Sequence, residues 1–218
     1  MKNKIILFVL GFSLTASIYA KDSGFYIGGL IGKSKTKDYG KETFTATNID
    51  SGYSQSIEEI DLIYGGLLGY DHYFDNFLIG LEFDGYKVDS DEKRDIQAGG
   101  ANPWHYTSEI NKVTSLKLRL GYLINEENLF YISIGKAKAD ITRKMYNTNG
   151  TTLLKELNDN VDGNLYGLGL EHFLENNLSI QIDFRYIKYD EVSFIVEDKT
   201  EYEDLTEKAF TLSFKYKF

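Results

Sequence analysis

The chain has no cysteine and a single proline in 218 residues, and past its first twenty residues it has no apolar run long enough to cross a bilayer as a helix. The lack of cysteine excludes a disulfide scaffold and any cysteine-ligated metal centre. Basic residues are also scarce, 24 Lys plus Arg against 33 Asp plus Glu, for a formal charge of -9. A chain this acidic lacks the broad positive surface that general nucleic-acid binding requires. What it does have is aromatics and glycine, with 17 Tyr, 14 Phe and 20 Gly in a chain that is 42% hydrophobic, which excludes a disordered polypeptide.

The amino terminus reads as an address. Lys2 and Lys4 precede an apolar run from Ile5 to Leu14, and small residues follow at Thr15, Ala16, Ser17 and Ala20. This is the order of a secretory signal peptide, predicted to be cleaved after Ala20 and leaving residues 21–218 as one domain. No cysteine stands at that position to carry a lipid anchor. An exported chain without a spanning helix is either soluble or a closed sheet in an outer membrane.

Alternation defines the strands. Phe77, Ile79, Leu81 and Phe83 share one parity, with Glu82 and Asp84 on the other; Leu116, Leu118, Leu120, Tyr122 and Ile124 oppose Lys117 and Arg119. Leu178, Ile180, Ile182, Phe184 and Tyr186 oppose Gln181, Asp183 and Arg185, and Phe210 to Phe218 repeat the pattern against Thr211, Ser213, Lys215 and Lys217. A period of two with unlike faces is a strand. Apolar faces of about nine to eleven residues match the length of a tilted membrane-crossing strand. Phe25 to Ser34, Asp61 to Tyr73, Leu129 to Asp140 and Asn164 to Phe173, with glycine among Tyr, Leu and Ile, bring the expected number to eight. Glycine there eases curvature and makes room for large side chains inside a narrow barrel.

Short and long connections alternate. Three tight turns rich in Asp, Asn and Glu lie within 69–77, 121–129 and 169–178, whereas Lys35 to Glu58, Asp89 to Glu109, Thr142 to Asp162 and Tyr189 to Lys208 read as long polar loops. An outer-membrane barrel has short periplasmic turns and long outer loops. The predicted fold is therefore an all-β, eight-stranded antiparallel up-and-down transmembrane barrel. The alternating last strand, with Phe214, Tyr216 and Phe218 on one face, completes a resemblance to the small outer-membrane β-barrel family related to the OmpA transmembrane domain, OmpX and the opacity proteins. That resemblance implies that Phe214, Tyr216 and Phe218 form the signal read by the barrel-assembly machinery. They also suit an aromatic belt at the membrane interface.

With the apolar parity toward lipid, Glu82, Asp84, Lys117, Arg119, Asp183 and Arg185 point into the lumen. The opposite orientation would put bases in lipid at about 2–4 kcal/mol each near the midplane. Opposed charges in a narrow interior predict an ion-pair plug, with a charge-lined pore as the alternative. An enzyme is the rival class, because some small outer-membrane barrels modify lipid A. His72 and His172 sit beside periplasmic turns, and the spacing of His105 and Ser108 puts them on opposite faces of a strand. No catalytic set, cofactor site or metal site is expected. The fourth loop is dense in acid, with Asp190, Glu191, Glu197, Asp198, Glu201, Glu203, Asp204 and Glu207. It reads as a solvated acidic segment, with divalent-cation binding as the sharper alternative.

The expected protein is a monomeric, non-enzymatic barrel surrounded by outer-membrane lipid and lipopolysaccharide, binding no nucleic acid. Its loops would meet an unknown extracellular ligand or serve envelope integrity. Trp104, Tyr106, Phe194 and Ile195 are the candidate loop contacts, although they suit loop-on-loop packing as well.

Overall fold

The computed structural model describes residues 22–89, 95–96, 104–175, 177–196 and 198–218. The expected signal peptide, 1–20, and Glu197 lie outside the described residues. Ten strands follow one another: β1 (Gly24–Phe44), β2 (Ile49–Phe74), β3 (Phe77–Asp89), β4 (Asp95–Ile96), β5 (His105–Leu123), β6 (Asn128–Tyr146), β7 (Leu153–Phe173), β8 (Leu178–Tyr189), β9 (Val192–Val196) and β10 (Lys199–Lys217). Eight of them close a ring in the order β1, β2, β3, β5, β6, β7, β8, β10, with β10 pairing back onto β1. All these pairs are antiparallel, and closure leaves the membrane-crossing part of the sheet without an edge. The short β4 pairs with β5, and β9 continues β8 along β10 after a break at Asp190 and Glu191.

The alternating residues divide as their parity requires. Ile27, Ile31, Ile79, Leu81, Leu118, Leu120, Ile132, Ile134, Leu168, Leu170, Ile182, Phe184, Phe210 and Phe214 are exposed on the outer wall, while their strand neighbours are buried inside. The apolar belt ends in aromatics at the tight-turn end, where Phe25 meets Tyr70 at 4.8 Å, Phe77 meets Tyr122 at 5.2 Å and Tyr216 meets Phe218 at 5.3 Å. Asp75 and Asn177 turn there with φ of 52° and 63°, a conformation that Asp and Asn tolerate better than other side chains.

One expectation is corrected. Among the described residues, the segments read as long outer loops are largely strand: the β1–β10 register holds without a break from Tyr26↔Lys217 to Phe44↔Lys199, and β1–β2 pairing reaches Phe44↔Ile49. Beyond the bilayer a strand can be polar on both faces, so the apolar signal disappears at Lys33 although Ser34, Thr36, Asp38, Gly40 and Glu42 keep the inward parity. Inside the ring, apolar layers lie beside the charges. Ile63, Val113, Ala139, Leu165, Ile187 and Ala209 are fully buried in an apolar layer, and Leu78, Leu123, Leu129, Tyr131 and Phe173 form a second layer at the tight-turn end.

Glycine makes room where the interior is crowded. A side chain at Gly69 would collide with the Tyr26 hydroxyl, and one at Gly169 with that of Tyr131, so both phenols lie across the bare backbone of a neighbouring strand. Each hydroxyl is thereby carried into the charged lumen.

Candidate functional site

The lumen is built from the middle outward. Register places Glu82 directly opposite Lys117 on β3 and β5, and Asp183 opposite Thr211 on β8 and β10. Lys117 Nζ lies 2.9 Å from Glu82, 3.5 Å from Asp84 and 3.5 Å from Asp183. Arg185 donates to Asp84 at 3.0 Å through Nη1 and to Asp183 at 3.0 Å through Nε. Arg119 Nη1 lies 3.6 Å from Glu82. The six lumen charges named from sequence thus meet in one connected network, all buried.

The network extends further than the alternation suggested. Arg119 donates through Nη1 to Asp71 at 3.1 Å and through Nη2 to Glu171 at 2.7 Å, and Lys215 donates to Glu171 at 2.8 Å. Tyr26 donates to Glu82 at 2.9 Å and Tyr131 to Asp183 at 2.8 Å, while the Arg119 guanidinium lies 4.2 Å from the Tyr131 ring centroid. Asp71, Glu171 and Lys215 carry the inward parity of strands already recognised. Lys215 already stood on the polar face read for the last strand, whereas the place of Asp71 and Glu171 near turns concealed them, although parity alone points to them. In a low-dielectric interior such charges are tolerated because each meets an opposite charge and most also make hydrogen bonds. The cavity lined by Tyr26, Asp71, Glu171, Ser179, Lys215 and Lys217 measures about 10 Å³, room for about one water.

Above this tier Glu207 accepts hydrogen bonds from Ser34 at 2.7 Å, Tyr86 at 2.8 Å and Tyr189 at 2.7 Å. The outer rim is acidic and buried too. Asp38 accepts from Ser108 and, at 3.3 Å, from Arg143 Nε; Glu203 accepts from Gln55 at 2.7 Å; Glu201 accepts from Tyr106 at 2.6 Å; Lys199 lies 2.9 Å from Glu42. Glu201, Glu203 and Glu207 are therefore not the solvated loop acids expected, because the acid-rich segment is strand with these carboxylates on its inward parity. Among the described residues no group of His, Asp and Glu is placed to hold a metal ion.

A register shift between Ile110 and Lys112 explains the aromatic contacts. It reverses the parity of outer β5, turning Tyr106 and Ser108 inward. Tyr106 is buried in a cluster with Ile57 and Met145, against which Trp104 and Phe194 pack, and Lys199 sits 5.0 Å over the Trp104 ring. Of the four residues expected to meet a ligand, Ile195 alone is exposed, at 59%. His105 Nε2 donates to the Thr148 carbonyl at 3.2 Å, on the face opposite Ser108. His72 packs edge-on against Phe74 at 4.3 Å, and His172 Nδ1 pairs with the Asn128 side-chain oxygen at 3.0 Å. Phe214, Tyr216 and Phe218 stand exposed on the outer wall of β10 and at its end.

A closed antiparallel ring with an apolar wall and paired charges inside defines a membrane-spanning β-barrel. The chain belongs to the outer membrane protein beta-barrel domain family, whose model matches residues 5–218, and its place is the outer membrane. No curated protein matches it in sequence. Among solved structures it is similar to OprG of Pseudomonas aeruginosa, at 12% identity and TM-score 0.58 over 92% of this chain and 99% of that one. It is also similar to the outer membrane protease OmpT of Escherichia coli, at 7% identity and TM-score 0.52 over 89% and 97%. Ail, the attachment invasion locus protein of Yersinia pestis, matches at 13% identity and TM-score 0.37 over 84% and 98%. At these identities the likeness is one of fold.

Two outcomes follow from this geometry. Lys117→Met leaves Glu82, Asp84 and Asp183 without their shared cation and should destabilise the refolded barrel by about 3–5 kcal/mol in urea titrations followed by tryptophan fluorescence; an unchanged midpoint contradicts the network. At the rim, burial and the neighbouring Glu42 carboxylate, against the hydrogen bond from Tyr106, push Glu201 up to about 8. Folded rim then holds a proton that a free glutamate releases near 4.5, so the stability from this group is complete below 4.5 and is lost as pH rises through 8. Amide exchange in outer β10 should therefore quicken between about pH 5 and 9 beyond the intrinsic rate, and Glu201→Gln should flatten that excess.

Proposed function

We propose that the protein is a non-conducting, non-enzymatic barrel whose strand-built outer extension presents hairpin tips for contact with another surface. One observation carries this reading. Large apolar side chains are exposed at the tips, far from the lipid-facing belt: Phe44 and Ile49 on β1–β2, Leu153 and Leu154 on β6–β7, and Ile195 on β9–β10. From Lys33, where the belt ends, to Phe44 the strand runs for about 35 Å, so these side chains clear the bilayer. Apolar residues on projecting tips are the composition of an interaction surface. The tips replace Trp104, Tyr106 and Phe194 as the contact residues, with Ile195 retained from the sequence reading.

The interior filled with paired charges and apolar side chains supports the same reading, since a scaffold needs rigidity rather than a path. The separation of His105 from Ser108 by a sheet face argues against their acting as a base and nucleophile. During insertion Phe214, Tyr216 and Phe218 are proposed to be read by the barrel-assembly machinery, and the mature barrel to act as a monomer.

Replacing Phe44, Ile49, Leu153, Leu154 and Ile195 with serine should leave the barrel folded and its heat-modifiable migration unchanged. Adherence of expressing bacteria to cultured epithelial cells and to a hydrophobic surface should fall several-fold. Equal adherence by equally abundant wild-type and variant protein would overturn the proposal.

A further inference from the structure

Outside the apolar belt, the wall of the barrel changes charge abruptly. On β1 the outward residues Phe25, Ile27 and Ile31 are followed by Lys33, Lys35 and Lys37; on β3 Phe83 is followed by Gly85 and Lys87. On β6 Ile134 is followed by Lys136 and Lys138, on β8 Tyr186 by Lys188, and on β10 Phe210 is preceded by Lys208. Lys112 holds the same place on β5. All are exposed. The opposite rim, at the tight turns, carries Asp75, Glu126, Glu127 and Glu175 and among the described residues of those turns no Lys or Arg. An acidic protein has therefore gathered lysines where its wall leaves the outer half of the membrane.

Their arrangement is costly unless an anion is present. Lys35 stands directly opposite Lys208 across the β1–β10 ladder, and Lys87 directly opposite Lys112 across β3–β5. Like charges at directly opposed outward positions destabilise a sheet. Some lysines have carboxylates at hand: Lys35 lies 2.9 Å and Lys37 3.8 Å from Glu58, and Lys138 lies 3.7 Å from Asp162, while Lys136 donates to Asn164 at 2.7 Å. Asp140 opposes Lys112 on its other side without an ion pair. Lys33, Lys87, Lys112, Lys188 and Lys208 have neither hydrogen bond nor ion pair among the described residues. Lys33, Lys35, Lys208 and Lys188 lie on the adjoining strands β1, β10 and β8, with Thr206 and Asn164 rather than acids beside Lys188.

We infer that this collar, and the β8–β10–β1 face first of all, binds the phosphate groups of the phosphorylated glycolipid in the outer leaflet. The apolar wall directly below, Phe210, Phe184 and Ile31, takes that lipid's acyl chains, so headgroup and tails meet matching surfaces in one molecule. A free phosphate or soluble polyanion would use the lysines alone. The inference concerns the membrane-facing wall and stands apart from the hairpin tips.

The test is thermal unfolding of the refolded full-length mature chain in neutral detergent with a chelator, so that no divalent cation bridges phosphates. Bisphosphorylated lipid A at about a hundredfold excess over its Kd should raise the midpoint by about 5–10 °C, with a smaller rise at high salt. Lipid A stripped of phosphate, inorganic phosphate and phosphatidylglycerol should each give a much smaller shift. The variant carrying Lys33→Gln, Lys188→Gln and Lys208→Gln should fold with an unchanged or higher midpoint alone and lose most of the lipid A shift. Lys41→Gln, well beyond the collar, should leave the lipid A shift unchanged. Equal shifts from both lipid A forms, an equal shift from phosphatidylglycerol or inorganic phosphate, or a full shift in the triple variant would overturn the inference.

Discussion

A charge inside a narrow barrel has little water to fall back on, so it must find its opposite within reach of its own side chain. That constraint organises the lumen. Lys117 gathers Glu82, Asp84 and Asp183, Arg185 reaches two of the same carboxylates, and Arg119 links Glu82 to Asp71 and Glu171. Tyr26 and Tyr131 supply hydroxyls, and Gly69 and Gly169 yield the space those phenols need. Each charge is held by groups from several strands, so the network ties those strands to one another as it fills the ring.

The apolar layers matter as much as the ion pairs. Ile63, Val113, Leu165 and Ile187 form an apolar band above the charged tier, and Leu78, Leu129 and Phe173 another at the tight-turn end. A hydrophobic constriction resists wetting and an ion would have to shed its water there. Matched charge between two apolar layers is what the proposed non-conducting barrel requires.

Alternation over 77–84, 116–124, 178–186 and 210–218 was enough to read the barrel, its lipid-facing wall and six of its interior charges, because lipid outside and matched polarity inside enforce unlike faces. Where the strands leave the bilayer that contrast vanishes, and Lys35 to Glu42 and Glu201 to Lys208 look like loop although they continue the ladder. The bulge at Ile110 and Lys112 was equally invisible, and with it the inward turn of Tyr106. A register shift is set by long-range pairing, which local composition does not record. The exposed residues at the hairpin tips could be found only once those strands were known to be strands.

Single-channel recording in planar bilayers tests the sealed, charge-matched interior most directly. The refolded wild-type barrel should insert and show no steady ohmic step at high salt under applied voltage. A stable, reproducible conductance from inserted, fully folded protein would contradict a plugged lumen and, with it, the reading of these buried charges as structure rather than as the lining of a path.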